Sequence, residues 1–291
     1  MLNRRLVVIA VVLLALIAGP VAAANGLPDI VFDNFNVVRI KQPDNTSNDP
    51  YWWIIQNGDN QQYYATCGEA SCTTAERERK TTFARLRLFH DPTPDDYVSS
   101  EISEMRTGYS YGQPARWLPI VDHPVVAVAR VRFSPNYHQD GSGGAVGSAG
   151  FWLWNSYVDL VNQTMHPVTS LGFSWAEQGS VGGYSGLGMS VVQDTYPVYV
   201  QPVTQTVRMN DWMLWTMVWS VDSAGTQSVR YWIDGHQVGE TTLASPLPAL
   251  SITFWNDNQY PTILEDGSLT VAYHNPSDQR FEIDMVTVAR P

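Results

Sequence analysis

The stretch Leu214-Trp-Thr-Met-Val-Trp-Ser-Val-Asp-Ser-Ala-Gly-Thr-Gln-Ser-Val-Arg-Tyr-Trp-Ile-Asp-Gly235 decides the fold class. It contains two runs rich in aromatic and β-branched residues, Leu214–Val221 and Ser228–Ile233, separated by Asp222-Ser-Ala-Gly225. Two such runs joined by a short polar segment that includes glycine predict a β-hairpin. Asp234-Gly235 then predicts a second tight turn, after which a third strand is expected.

Three tryptophans in and before this stretch leave an alternative open. Trp212, Trp215 and Trp219 are three and four residues apart, which is also the spacing along one face of a helix. The residues between them include Met, Val and Thr, and the run ends at a hairpin turn. We therefore favour a strand.

Runs of the same kind recur along the chain, whereas convincing helix patterns are scarce. They are Val125–Phe133, Gly150–Trp154, Gln237–Leu243, Ser251–Trp255, Ser268–Tyr273 and Phe281–Val288. In the first of them, Arg130 and Arg132 alternate with Val131 and Phe133, as on a strand with one buried face. Many short strands predict an all-β fold, a two-sheet antiparallel jelly-roll sandwich.

Composition and net charge indicate a folded chain and bear on which partners it could bind. The chain has 291 residues, of which 44% are hydrophobic and 12% aromatic, which suits one large core rather than a disordered chain. It carries 17 Lys and Arg against 28 Asp and Glu, a formal net charge of −11. An acidic chain without a basic patch argues against a nucleic-acid partner.

The first 24 residues differ from the rest. Arg4 and Arg5 precede the apolar run Leu6–Ile17, and the small residues Val21-Ala-Ala-Ala24 follow. This order is typical of a secretory signal peptide. The alternative is a membrane anchor, but the apolar run is shorter than the about 20 residues that a spanning helix needs.

Cleavage is expected after Ala23 or Ala24. It would leave one domain, residues 25–291, with a net charge of −13 because two of the 17 basic residues are removed. No linker or internal repeat divides this domain, and no later segment is long and apolar enough to span a bilayer. We expect a secreted protein, extracellular or at the cell surface.

Two further features bear on an exported chain. Cys67 and Cys72 are the only cysteines, and a pair of this kind predicts a disulfide rather than a metal site, because no His lies nearby. Asn45 and Asn162 begin Asn-x-Thr/Ser sequons, which matter only in a host that glycosylates.

The chemistry-bearing residues are aromatic rings and carboxylates. There is no Gly-x-Ser-x-Gly, His-Glu-x-x-His or Walker sequence, no cofactor motif, and the six His are scattered. Eleven Trp and fourteen Tyr in an acidic β-protein favour stacking on sugar rings. The alternative is that most of these rings fill the core.

Several segments, taken in order along the chain, resemble segments of one known group of proteins. They are Val31–Asn36, Tyr51–Ile55, Ser99–Met105, Val128–Arg132, Gly150–Trp154, Trp215–Ser220, Tyr231–Gly235, Leu247–Trp255 and Glu282–Val288. Together they resemble the family sixteen glycoside hydrolases and related folds of the concanavalin A-like lectin/glucanase superfamily, over nearly all of the chain after residue 24. The resemblance implies a jelly roll that acts on or recognises a β-linked polysaccharide.

The catalytic segment of that family has its counterpart in Gly172-Phe-Ser-Trp-Ala-Glu177. The family carries Glu-x-Asp-x-x-Glu there, with the two Glu as nucleophile and acid/base of a retaining mechanism. The resemblance places Glu177 at the acid/base position, Gly172 at the nucleophile position and Ser174 at the position of the Asp. A hydrolase of this kind would need another carboxyl within about 10 Å of Glu177.

Other carboxylates are candidates of a different kind. Glu282 and Asp284 imitate the motif but belong to the expected last strand. Asp284 matches a family position near a structural calcium, although one carboxylate does not make a calcium site and an exposed strand face is the alternative. Glu101 and Glu104 are three residues apart, so on a strand they face opposite sides, and each could line a groove singly.

Three functions follow as hypotheses. The first is a polysaccharide-recognising protein without the family's hydrolase activity, with Trp152, Trp154 and Trp175 as the leading sugar-stacking residues. The second is an endo-acting glycoside hydrolase that uses Glu177 with a displaced nucleophile. The third is a structural extracellular module. Exposed aromatic rings in an open groove would favour the first.

Overall fold

The computed structural model describes residues 30–33, 35, 40–41, 52–57, 61–66, 82–89, 98–104, 116–155, 158–159, 164–165, 168–179, 185–194, 196–263 and 269–291. Every helix or strand assigned within these ranges is a β-strand, which confirms the all-β prediction. The expected signal segment 1–24 lies outside them, as do Cys67, Cys72, Asn45 and Asn162, so these expectations stay predictions. In the described ranges, no helix is long and apolar enough to cross a membrane.

Twenty strands are numbered here in chain order. They are β1 (Ile30–Asp33), β2 (Ile40–Lys41), β3 (Trp52–Asn57), β4 (Gln61–Thr66), β5 (Thr82–Leu88), β6 (Ser99–Ser103), β7 (Val125–Phe133), β8 (Ser148–Asn155), β9 (Val158–Asp159), β10 (Thr164–Met165), β11 (Thr169–Ala176), β12 (Gly186–Gln193), β13 (Tyr196–Pro202), β14 (Met213–Val221), β15 (Gln227–Ile233), β16 (His236–Thr242), β17 (Ser251–Asp257), β18 (Gln259–Ile263), β19 (Leu269–Tyr273) and β20 (Gln279–Ala289).

Two eight-stranded sheets form the predicted jelly-roll sandwich. Sheet A has the order β16–β15–β14–β7–β20–β5–β4, and β1 pairs with β20 beside β5. Sheet B has the order β13–β12–β11–β8–β17–β6–β3–β2. The described strands pair antiparallel, except that the short β2 pairs in parallel with β3. Two small ribbons, β9–β10 and β18–β19, complete the set.

The hydrophobic core lies between the two sheets. Phe151 and Phe254 of sheet B stack with ring centroids 4.6 Å apart, and Phe173 of the same sheet stacks at 5.0 Å on Trp215 of sheet A. All four rings are fully buried. Because each such ring removes about 150–250 Å² from water, these contacts across the sandwich contribute strongly to holding the sheets together.

Strand β14 resolves the question raised by the three tryptophans. Alternate residues of Met213–Val221 are buried, and Trp215 and Trp219 both lie on the core face. Alternate burial is the pattern of a strand with one face against a core. The strand interpretation is therefore confirmed, and the helical spacing of the tryptophans is coincidental.

The middle of sheet B is regular. The pairings of β8 with β11, of β8 with β17 and of β17 with β6 contain no register shift. Residues on these strands therefore lie in straight rows across the sheet, with side chains of alternate rows on opposite faces. This regularity places side chains that are distant in sequence next to one another.

Candidate functional site

The outer face of sheet B, the side turned away from the core, carries four neighbouring rows of side chains. From β12 towards β6 they are Val192, Ser170, Trp154 and Ser251; then Ser190, Gly172, Trp152, Thr253 and Ser103; then Gly188, Ser174, Gly150, Trp255 and Glu101; and then Gly186, Ala176, Ser148, Asp257 and Ser99. Most of these residues are small or hydroxylic. None of them is Lys or Arg.

Two indole rings, the half-buried Trp152 and the 4% exposed Trp255, pack together on this face and form what we call the platform. Trp152 and Trp255 have ring centroids 3.8 Å apart and are tilted by 45°. Each ring lies over a glycine of the neighbouring strand: a Cβ on Gly172 would come within 2.5 Å of Cδ1 of Trp152, and one on Gly150 within 2.5 Å of Cη2 of Trp255. The glycines therefore allow the rings to lie along the sheet instead of standing upright.

The three tryptophans expected to contact sugar are not on one face. Trp152 and Trp154 are half-buried neighbours in adjacent rows of the outer face. Trp175 lies on the core face instead, 0% exposed, with its Nε1 donating to the carbonyl of His138 at 2.6 Å. The alternation of β11 explains this placement, because Gly172 and Ser174 occupy the outer face and Trp175 follows them.

In the part of the chain that the structure describes, four buried polar atoms on the outer face have no hydrogen-bond partner. They are Nε1 of Trp152, Nε1 of Trp154, Oγ of Ser170 and Oγ of Ser190. Ser170 is 0% exposed and Ser190 is 6% exposed. A buried polar group without a partner is costly, and in a native protein it usually has an explanation such as a bound ligand or water.

Asp257 is the most perturbed carboxyl group of the face. Its Oδ1 accepts hydrogen bonds from the Ser148 hydroxyl at 2.9 Å, from the Ser148 amide at 3.1 Å and from the Gln259 amide at 3.3 Å. Burial, and then the negative charge of Glu101, raise the pKa of Asp257 from 3.8 to about 8 in spite of these bonds. Asp257 is therefore a neutral acid at pH 7.

Glu101 lies beside Asp257 on the same face. It pairs directly with Trp255, and Asp257 pairs with Ser99, so the two carboxyl groups are diagonal neighbours on β6 and β17. Diagonal neighbours in a sheet have Cβ atoms somewhat less than about 7–8 Å apart, within reach of a long side chain. Glu101 is half-buried, whereas Asp257 is 6% exposed.

Glu177 lies at the end of β11 rather than in the rows. The strand has no bulge that would return this residue to the face of Gly172 and Ser174. Its Oε2 accepts from the Gly147 amide at 3.0 Å and is 2.8 Å from Nδ1 of His274. The His274 ring in turn stacks on Tyr260 with centroids 4.7 Å apart.

A second carboxyl group does lie within reach of Glu177. Glu177 Oε2 and Asp257 Oδ1 accept from the consecutive amides of Gly147 and Ser148, at 3.0 and 3.1 Å. Because neighbouring amide nitrogens are less than about 3.8 Å apart, the two carboxylate oxygens are within about 10 Å of each other. Asp257 thus meets the requirement that a hydrolase have a second carboxyl group within about 10 Å of Glu177, although Asp257 lies on β17 and not on β11.

The two remaining candidate carboxylates are engaged elsewhere. Glu104 follows β6 and accepts from the Arg116 guanidinium and, at 2.7 Å, from Nε1 of Trp117. Asp284 pairs with Arg130 on the outer face of sheet A. In the described ranges, no group of three or more His, Cys, Asp or Glu is arranged to hold a metal ion. A calcium role for Asp284 therefore gains no support from its neighbours.

Sequence reasoning missed Trp255, Asp257 and His274 as site residues. The alternation of β17 puts Trp255 and Asp257 on one face, and this signal was available in Ser251–Asp257. What the sequence could not supply was the position of β17 between β8 and β6, which brings Asp257 next to Ser148 and Glu101.

Comparison with known proteins gives architectural similarity only. No model of a known protein family matches the chain, and no curated protein matches it. Among solved structures, the κ-carrageenase of Pseudoalteromonas carrageenovora in complex with an oligosaccharide is 11% identical, with a TM-score of 0.45, over 94% of this chain and 98% of that one. The alginate lyase Aly36B is 13% identical, with a TM-score of 0.41, over 83% and 97%.

A carbohydrate recognition domain is similar to the same degree. The carbohydrate recognition domain of Emp46p is 9% identical, with a TM-score of 0.42, over 82% of this chain and 88% of that one. Identities and TM-scores as low as these carry no statement about substrate or site residues. The jelly-roll assignment follows from the two sheets of this chain.

Proposed function

We propose that the protein is exported and recognises a polysaccharide on the outer face of sheet B. The observation that carries this proposal is the half-buried Trp152, whose ring lies along the sheet over Gly172 and packs on the 4% exposed Trp255. An indole face laid flat in this way is suited to the apolar C–H face of a pyranose ring.

The unpartnered polar atoms support a ligand that is rich in hydroxyl groups. Trp152 and Trp154 each offer an indole N–H, and Ser170 and Ser190 each offer a hydroxyl group. Sugar hydroxyls both donate and accept, so they match the chemistry of these groups. A polar group that water does not already solvate gains most from a new hydrogen bond.

The charges on the face favour an uncharged glycan. The four rows contain Glu101 and no Lys or Arg, and Glu177 lies just beyond their end. A polyanionic chain would be repelled by these carboxylates and would find no cation in the rows to pair with. Neutral β-glucans, galactans and xylans are therefore the expected ligands.

Pull-down with insoluble polysaccharides and affinity electrophoresis with soluble ones test the proposal. Trp152→Ala should weaken binding at least about tenfold, because it removes the partly exposed ring of the platform. Trp232→Ala is the matched control: Trp232 is also half-buried but lies on sheet A. Equal weakening by both variants, or no binding to any neutral polysaccharide, would contradict the proposal and favour a structural module.

A further inference from the structure

We propose that a cleft at the edge of sheet B is a second binding site, which takes a neutral mono- or disaccharide through two neighbouring hydroxyl groups of the sugar. The cleft lies beside the ends of β12 and β13, whereas Trp152 lies on β8, two strands away from β12. The site is therefore separate from the platform, and it does not depend on the recognition proposed above.

The cleft is accessible and of suitable size. Its volume is about 590 Å³, and four of the residues that line it are exposed, namely His138, Asp140, Pro202 and Thr206. The buried side chains of Leu187 and Val203 add an apolar part to its wall. Small-molecule sites typically have volumes of about 300–1,000 Å³ and combine an apolar wall with a few polar groups.

Gln139 holds the wall of the cleft in place. Its Nε2 donates to the carbonyls of Val203 at 2.9 Å and Gln205 at 2.6 Å, and its Oε1 accepts from the Val207 amide at 2.9 Å. Its main-chain carbonyl accepts from the Leu187 amide at 2.7 Å. One residue thus joins the loop after β7 to β12 and to the loop after β13. Because the wall is already ordered, binding a ligand there costs little conformational entropy.

Two glycines allow the loop after β7 to lie directly against β12. Gly141 and Gly186 have φ angles of +83° and +82° or close to it, at +83° and +81° respectively, in the left-handed region that favours glycine. A Cβ on Gly186 would lie 2.0 Å from the carbonyl oxygen of Gln139, and one on Gly141 would lie 2.7 Å from the amide nitrogen of Gly186. This close approach brings the polar side chains of the loop to the rim of the cleft.

Ser142 connects the two polar side chains at the rim. Its hydroxyl donates to Oδ1 of Asp140 at 2.6 Å, and its amide donates to the same oxygen at 3.0 Å. Its Oγ also lies 3.4 Å from Nδ1 of His138. Because the hydroxyl proton is directed to Asp140, Nδ1 is the donor in this second contact. A neutral histidine with its proton on Nδ1 presents Nε2 as an acceptor.

The rim therefore offers two acceptors to a ligand, Nε2 of His138 and Oδ2 of Asp140. Within the described ranges, both hydrogen bonds from Ser142 reach Oδ1 and leave Oδ2 for another donor. The same two bonds lower the pKa of Asp140 from 3.8, so this carboxyl group is charged at neutral pH.

These acceptors match a neutral sugar better than an anion. Two neighbouring sugar hydroxyls supply two O–H donors, whereas an ionised carboxylate, sulfate or phosphate group has none to offer and is repelled by Asp140. The Thr206 hydroxyl, which can donate or accept, is available to a further hydroxyl of the same sugar.

Saturation-transfer NMR titrations test the site, with methyl glycosides and β-linked disaccharides of glucose, galactose and xylose as probes. Asp140→Asn should weaken binding at least about tenfold, because a hydrogen bond to a charged acceptor is lost. His138→Phe keeps a ring but removes the second acceptor and should have a similar effect. Thr206→Trp fills the cleft while keeping both acceptors, and it should abolish binding.

Two substitutions on sheet A are matched controls and should leave binding unchanged. Asp222→Asn alters an exposed Asp whose Oδ1 likewise accepts from the amide two residues further on, at 2.9 Å. His236→Phe alters an exposed His on β16. Equal weakening by the cleft variants and these controls would overturn the proposal. Thermal unfolding of each variant checks that the fold is retained.

The outcomes separate this site from the platform. Loss of saccharide binding in the cleft variants, with binding kept in Trp152→Ala, supports the cleft. Loss in Trp152→Ala with binding kept in Asp140→Asn overturns the cleft and leaves recognition on the platform standing. Absence of binding by every mono- and disaccharide overturns the cleft alone. Glucuronate binding as tightly as methyl glucoside would overturn the selection of a neutral sugar.

Discussion

Asp257 is a buried carboxyl group whose raised pKa affects folding stability. Its carboxyl group is 6% exposed and accepts three hydrogen bonds on one oxygen, yet its pKa is raised to about 8 by burial and by Glu101. In the unfolded chain its pKa would be near 3.8. Below about pH 4 the Asp257 carboxyl group is protonated in both the folded and the unfolded state. Between about pH 4 and pH 8 the unfolded chain releases this proton, whereas the folded protein keeps it.

The free energy of unfolding should therefore fall as pH rises from about 4 to about 8, because the unfolded chain releases the Asp257 proton in this range and the folded protein retains it. Asp257→Asn removes this dependence. The variant should match the unaltered protein near pH 4 and exceed it by a few kcal/mol at pH 9. Urea unfolding at both pH values measures the difference. An equal difference at the two pH values would show that Asp257 is not buried as a neutral acid.

Gly172 lies where the chain has no room for a side chain. A Cβ there would collide with the carbonyl oxygen of Phe151 and with the Trp152 ring. Gly172→Ala should therefore destabilise the fold by about 1–3 kcal/mol and weaken glycan binding by displacing Trp152. Gly144→Ala, with no atom within 4 Å of its added Cβ, should be neutral. Equal denaturation midpoints for the two variants would contradict this explanation.

Strand β20 contains Glu282, which imitates the catalytic motif in the sequence. In the structure this residue forms buried ion pairs. Glu282 accepts from Arg85 of β5 at 2.8 Å and from Arg132 of β7 at 2.5 Å, so it joins three strands of sheet A. The side chains of Arg85 and Glu282 are 1% and 6% exposed. Removing one partner of a buried pair leaves an uncompensated charge in the interior.

Glu282→Gln should accordingly cost about 3–5 kcal/mol of folding stability in denaturant unfolding. Glu240→Gln is the matched control, since Glu240 pairs with Arg230 at 3.5 Å at a half-exposed site and its loss should cost at most about 1 kcal/mol. If Glu282→Gln were as mild as the control, the three-strand charge network would be unimportant for the sandwich.

Strands with a clear alternation could be predicted from the sequence, and those without it could not. The Val125–Phe133 strand was predicted with its observed ends, because one of its faces packs on the core. Strand β12, Gly-Leu-Gly-Met-Ser-Val-Val-Gln, was missed: its first six residues are all buried and two of them are glycines, so no period-two signal remains. The proximity of Asp257 to Glu101 could not be predicted, because the pairing of β17 with β6 is not encoded in any local pattern.

At the scale of the whole molecule, charge governs which polysaccharides can approach. The full chain has a net charge of −11, and the four rows of the platform face contain Glu101 but no Lys or Arg. Repulsion between like charges acts over roughly 10 Å at 0.1 M salt and over about 3 Å at 1 M. Stacking of a neutral sugar on an indole has no such dependence.

Binding of a neutral β-glucan, galactan or xylan should therefore be unchanged between about 0.05 and 0.5 M salt, because no ion pair contributes to it. Alginate and carrageenan, which are polyanionic, should bind weakly at low salt and gain affinity as salt is raised. Affinity electrophoresis at both ionic strengths, with Trp152→Ala as the platform-deficient comparison, measures this. Tight binding of a polyanion that weakens with salt would reverse the assignment, since it would require a basic surface that the four rows do not contain.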